Sequence, residues 1–74
     1  MAWETCDAEI SVVLARHGLD DDATNDVSQS IIVDNMDRIR RAAKQHTNLE
    51  SQRTAMLDEI EKILIENEIL KDAK

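Results

Sequence analysis

LESQRTAMLDEIEKILIENEIL, residues 49–70, sets four apolar side chains, Leu49, Met56, Ile63 and Leu70, at strict seven-residue intervals. Apolar residues that recur every seven positions form a stripe along a helix built to lie against another helix. With that row as the d seam, Ile60 takes an a position, Arg53 and Asn67 take the a positions on either side of it, and Leu57 and Leu64 add an e row. The added row widens the stripe from a two-stranded seam towards that of a bundle helix. The expected product is a helical-bundle or coiled-coil homodimer. Its interface would be Leu49, Met56, Leu57, Ile60, Ile63, Leu64, Asn67 and Leu70, with 47–72 as the self-association helix. Glu66 and Lys71 have the spacing of an interchain ion pair in a parallel dimer. An exposed pair is worth under about 1 kcal/mol, so it biases orientation without setting it. Asn67 reads either as a buried amide that fixes register against its symmetry mate or as an exposed residue of the last turn.

Length argues for association too. Seventy-four residues allow one domain, 1–74, with little surface to bury. Chains of this size generally gain stability from disulfides, metals or partners. Cys6 is the only cysteine, so no intrachain disulfide forms, and there is no Cys/His cluster for structural zinc. A single free thiol fits a reducing compartment. No charged start followed by an apolar run resembles a signal peptide, and no stretch reaches the roughly 18 apolar residues of a membrane span. The expected location is cytoplasmic.

The fold class is all-α. Proline is absent, the only glycine is Gly18, and no sustained alternating pattern marks a strand. Three helices are expected, over about 6–17, 22–45 and 48–72. The first turns Ile10, Val13, Leu14 and Ala8 inward, with Val12 widening the face, and stops at Gly18 in a left-handed cap that Leu19 completes. Any one of Asp20, Asp21 and Asp22 suits the cap of the second helix. On that helix Val27, Ile31, Ile32, Met36, Ile39, Ala42 and Ala43 cover about half the circumference at about 100° per residue, an arc wide enough for two neighbours. Ser28, Asn35 and His46 fall within it. Thr47-Asn48-Leu49-Glu50 has the residue types of a capping box with Thr47 as the cap. One uninterrupted helix from 22 to 72 is the competing reading.

Sixteen acids against nine bases give a net charge of −7, unevenly placed. Residues 1–37 hold nine acids and one base, Arg16; residues 38–46 hold Arg38, Arg40, Arg41 and Lys44 and no acid. A chain this acidic is a poor non-specific ligand for nucleic acid, where phosphate contacts dominate. It suits a larger protein with a basic surface, with Asp20, Asp21, Asp22 and Asp26 as the electrostatic contacts. Ile65 and Ile69 stand about opposite Leu49 on the third helix, ringed by Glu61, Glu68 and Asp72, and form a candidate apolar anchor. The plainer readings are that the acids cap and solubilise, and that the two isoleucines pack on the first helix.

No motif points to catalysis. Asp20 to Asp26 lacks the glycine and the bidentate glutamate of a calcium loop, and Ile31 stands where the glutamate belongs. His17 and His46 have no partner at metal-ligand spacing, Cys6 has no nearby base, and no glycine loop could cradle a phosphate. No enzyme activity, cofactor or metal is expected. One alternative is a nucleic-acid-binding transcriptional regulator working through Arg38, Arg40, Arg41 and Lys44. The triple aspartate and the long apolar second helix oppose a groove-reading helix-turn-helix. A structural oligomerisation or scaffold helix is a third class. The segment from Val12 to Val27 resembles, loosely, small helical domains in phage regulators. In size, acidity and helical make-up the chain is similar to many phage-encoded inhibitors of host machinery, anti-CRISPR proteins among them. That resemblance of class implies an inhibitor or regulator of a larger host protein.

Overall fold

The structure is a computed structural model that describes residues 7–71. The readings placed on Cys6 and on Asp72 lie outside the described residues. Among the described residues four helices follow one another, α1 (Asp7–Arg16), α2 (Asp22–Asp34), α3 (Met36–Lys44) and α4 (Leu49–Glu66). Among the described residues none of them is long and apolar enough to cross a membrane.

Each helix end has an identifiable cause. Gly18 has φ +70°, the Gly18 N–H donates to the Ala15 carbonyl and the Leu19 N–H to the Leu14 carbonyl at 2.9 Å. This is the left-handed stop expected for α1. Of the three aspartates, Asp21 caps α2: its carboxylate accepts from the Thr24 N–H at 3.2 Å. The turn doubles the chain back. Asn25 Nδ2 donates to Ser11 Oγ at 3.2 Å and Gln29 Nε2 to Asp7 Oδ1, so α2 runs antiparallel to α1.

The expected helix over 22–45 is two helices. Asn35 ends α2 and begins α3 with φ −112° and ψ 22°, outside helical geometry. Its Nδ2 donates to the Ile31 carbonyl at 2.8 Å, taking the acceptor that a continuing helix would give to its own backbone N–H. Neither proline nor glycine marks this break. Val27, read as inward, is half exposed, while Ser28, Ile32, Met36 and Ile39 are buried.

The break before α4 is present, but Asn48 makes it. Its Oδ1 accepts from the Glu50 and Ser51 N–H groups at 2.8 and 3.2 Å. Asparagine is the stronger cap, and it takes the position that the capping box assigned to Thr47. At the other end α4 stops at Glu66 instead of reaching 72. Asn67 Nδ2 donates to the Ile63 carbonyl at 2.8 Å, Glu68 adopts φ 65°, and the Ile69 N–H returns to the Leu64 carbonyl at 2.9 Å. Asn67 is therefore a helix cap in this fold.

The chain's own helices bury most of the heptad stripe. Met56, Leu57, Ile60, Ile63 and Leu64 are buried by the chain's own helices, since α4 packs on α1, α2 and α3. Leu49 points along the same face at about 100° per residue, yet it overhangs the core and is 68% exposed. Leu70 is buried only after the chain has reversed at Glu68. Two of the four seam residues thus belong to other geometry, and the remaining stripe is consumed within one chain. Arg53 Nε lies 3.7 Å from Glu9 Oε2 and His17 Nε2 lies 3.8 Å from Glu61 Oε2. Both pairs advance by eight residues in the same sense, so α1 and α4 run parallel.

Ile60→Ala should cost about 2–5 kcal/mol by leaving a cavity in the core, and Leu49→Ala under about 0.5 kcal/mol as an exposed substitution; urea denaturation midpoints read both. The two left-handed stops predict opposite signs. Gly18→Ala meets no atom within 4 Å, so only the backbone opposes it, at about 1 kcal/mol. Glu68→Gly should stabilise by about 0.5–1 kcal/mol by relieving the same strain.

Candidate functional site

Charge is sorted by helix. α2 carries Asp22, Asp26 and Asp34 with no base, and Asp20 and Asp21 precede it. α3 carries Arg38, Arg40, Arg41 and Lys44 against Asp37. Several carboxylates that face a neighbouring helix find a polar partner there: Glu9 meets Arg53, Glu59 and Glu66 share Arg38, Glu61 lies 3.8 Å from the His17 imidazole, and Asp7 accepts from Gln29. Asp20, Asp22, Asp26 and Asp34 are exposed and enter no ion pair among the described residues.

Arg38 is the most engaged charge. Its Nη2 lies 2.8 Å from Glu59 Oε2, and Nη1 and Nη2 donate to the two Glu66 oxygens at 2.7 and 3.1 Å. A planar guanidinium fits such a two-pronged clasp, which ties α3 to α4. The Glu66 hydrogen bonds, with a smaller share from Glu59, push Arg38 further above its ordinary value against the effect of burial. The same bonds hold Glu66 below the usual carboxylate range. Arg38 therefore acts as a strut, and of the four bases named for nucleic acid Arg40, Arg41 and Lys44 pair with no carboxylate among the described residues.

The parallel course of α1 and α4 sets the turn after His17 at the same end of the bundle as Ile65 and Ile69. The acidic run and the two isoleucines expected to anchor a partner thus share one end. The isoleucines are partly buried against the core, however, because the reversal at Glu68 folds the chain back over α4. The exposed apolar groups near the acids are Leu19 at 37%, Val27 at 50% and Val33 at 46%. The sequence reading missed Val33, whose signal is its place between Asp22 and Asp26 on the outer arc of α2 at about 100° per residue. Hydrogen bonds from the Thr24 hydroxyl and N–H hold Asp21 below the usual carboxylate range, so capping occupies this member of the run.

An open depression of about 420 Å³ is lined by His46, Glu50, Ser51, Thr54, Ala55 and Asp58. Its imidazole and carboxylates make no hydrogen bond with one another, so no acid–base pair is positioned there. Among the described residues no three histidines, cysteines or carboxylates gather to hold a metal ion. No protein family, no curated protein and no solved structure matches this chain.

The lowered Glu66 value carries a signed consequence. A carboxyl whose folded value is depressed adds stability above its unfolded value, and that stability is lost as pH falls through the folded one. Arg38→Gln should therefore lower the melting temperature at pH 7, and the gap to wild type should narrow below about pH 4. Thermal melts followed by circular dichroism across that range check it.

Proposed function

We propose that this chain is a non-enzymatic protein-binding module that regulates or inhibits a larger protein by covering a basic surface on it. The supporting observation is that Asp20, Asp22, Asp26 and Asp34 stand exposed and outside any ion pair among the described residues, while Glu9, Glu59 and Glu66 pair with arginines of neighbouring helices. Desolvating a carboxylate without a cation is costly, so a surface of this kind is best covered by a partner that brings the cations. The field of a −7 chain also speeds encounter with such a partner and competes there with phosphates. The likeness in size and acidity to phage-encoded inhibitors of host machinery fits an inhibitory use.

A homodimer is the second reading. It is favoured by Leu49, a large apolar side chain 68% exposed at the overhanging start of α4. Sedimentation velocity at micromolar concentration tests it, and a dimer that Leu49→Ser dissociates would establish self-association alongside partner binding.

The main reading is tested by capture of a partner from the native host, followed by titration of the identified protein. Asp20→Asn, Asp22→Asn and Asp26→Asn together, with the Asp21 cap intact, should weaken binding at least about tenfold at low salt and less at high salt. An unchanged affinity would show that the acids serve only capping and solubility.

A further inference from the structure

We propose that the outer face of α2 is the docking surface, and that its occupant is a cationic amphipathic helix of the partner. The inference rests on the protein-binding reading above and names the site and the chemistry of its ligand. At about 100° per residue, Asp22, Val33, Asp26, Ser30, Ala23, Asp34 and Val27 share one arc, and all seven are exposed. Ser28 and Ile32 lie on the opposite side, buried against the rest of the molecule. The arc therefore belongs to a helix whose packing needs are met on its other side.

Its chemistry is that of a partner surface in two respects. Val27 and Val33 keep 50% and 46% of their surface exposed, and Asp22, Asp26 and Asp34 are set among them. Cations were available one helix away, on Arg40, Arg41 and Lys44, yet none reaches these carboxylates. A single sign of charge around apolar groups selects an occupant of the opposite sign and rejects anionic membranes and nucleic acid.

Its shape favours a helix. Ala23 and Ser30 are small, so a second helix axis can approach closely between the valines. The elements described are all helices, so an extended segment would find no strand edge to satisfy its backbone, whereas a helix arrives with its hydrogen bonds already made. A second copy of this chain is a poorer occupant, because two chains of net charge −7 repel.

The test is a ¹⁵N–¹H correlation titration of the whole chain with a synthetic amphipathic helical peptide of leucine and lysine, and with the same peptide carrying glutamate for lysine. Shifts should concentrate on Ala23, Asp26, Val27, Ser30, Val33 and Asp34, and the glutamate peptide should leave the spectrum unchanged. Val27→Ser with Val33→Ser, both exposed and so compatible with folding, should weaken the lysine peptide at least about fivefold. Salt-sensitive binding that ignores the two valines, or shifts centred on α3 or α4, would overturn the docking surface while leaving the protein-binding reading to its own test. Loss of affinity on neutralising Asp20, Asp22 and Asp26 against the captured partner, with no loss on changing the valines, would do the same. Broadening on α2 that grows with protein concentration in the absence of peptide would make a second copy the occupant and overturn the proposal.

Discussion

The rest of the molecule depends on burial of one five-residue stripe on α4, formed by Met56, Leu57, Ile60, Ile63 and Leu64. α1, α2 and α3 have 10, 13 and 9 residues. Isolated helices of that length are marginal in water, because nucleation is costly and few hydrogen bonds follow it. Each gains its stability by laying its own apolar residues on α4. Ile10, Val13 and Leu14 come from α1, Ile32 from α2, and Met36 and Ile39 from α3. The ion pairs at the seams, Glu9 with Arg53 and the Arg38 clasp, lie at the rim of that contact and orient the helices. Partly exposed pairs of this kind add little to stability by themselves.

Asparagine amides that compete with the backbone and residues in the left-handed region set where α1, α2 and α4 stop. Asn35 and Asn67 use one device, an amide donating to the carbonyl four residues back at 2.8 Å. Gly18 and Glu68 use another, a left-handed residue that sends the following N–H back to the last turn. Together they convert a sequence without proline into four short rods. The outcome bears on function, since the kink at Asn35 divides the acidic helix from the basic one. Without it the charges of both segments would lie along one rod.

That division gives the molecule its electrical form. Glu9, Glu59 and Glu66 are neutralised by arginines of neighbouring helices, and the aspartates of α2 that face solvent are left to act outward. The proposed function follows from this sorting, and the valines on α2 give it an address.

The all-helical class, the stop at Gly18, the cap at the aspartate run and the break before α4 were legible in the sequence, because each rests on local chemistry within a few residues. Ile10, Val13 and Leu14 were legible as an inward face, and Ile60 and Ile63 as part of an apolar stripe assigned to a dimer interface, for a similar reason: helical periodicity is local. What the apolar stripe of 49–70 packs against was not legible. A seven-residue repeat records only that a helix has an apolar face, and a second chain or three helices of the same chain can cover it equally well. Tertiary structure decided for the latter by shortening α4 at Glu66, burying Leu70 after a reversal and leaving Leu49 beyond the core. It also decided the fate of the charges, since a carboxylate's partner is set by which helix lies beside it, and that depends on contacts distant in the chain.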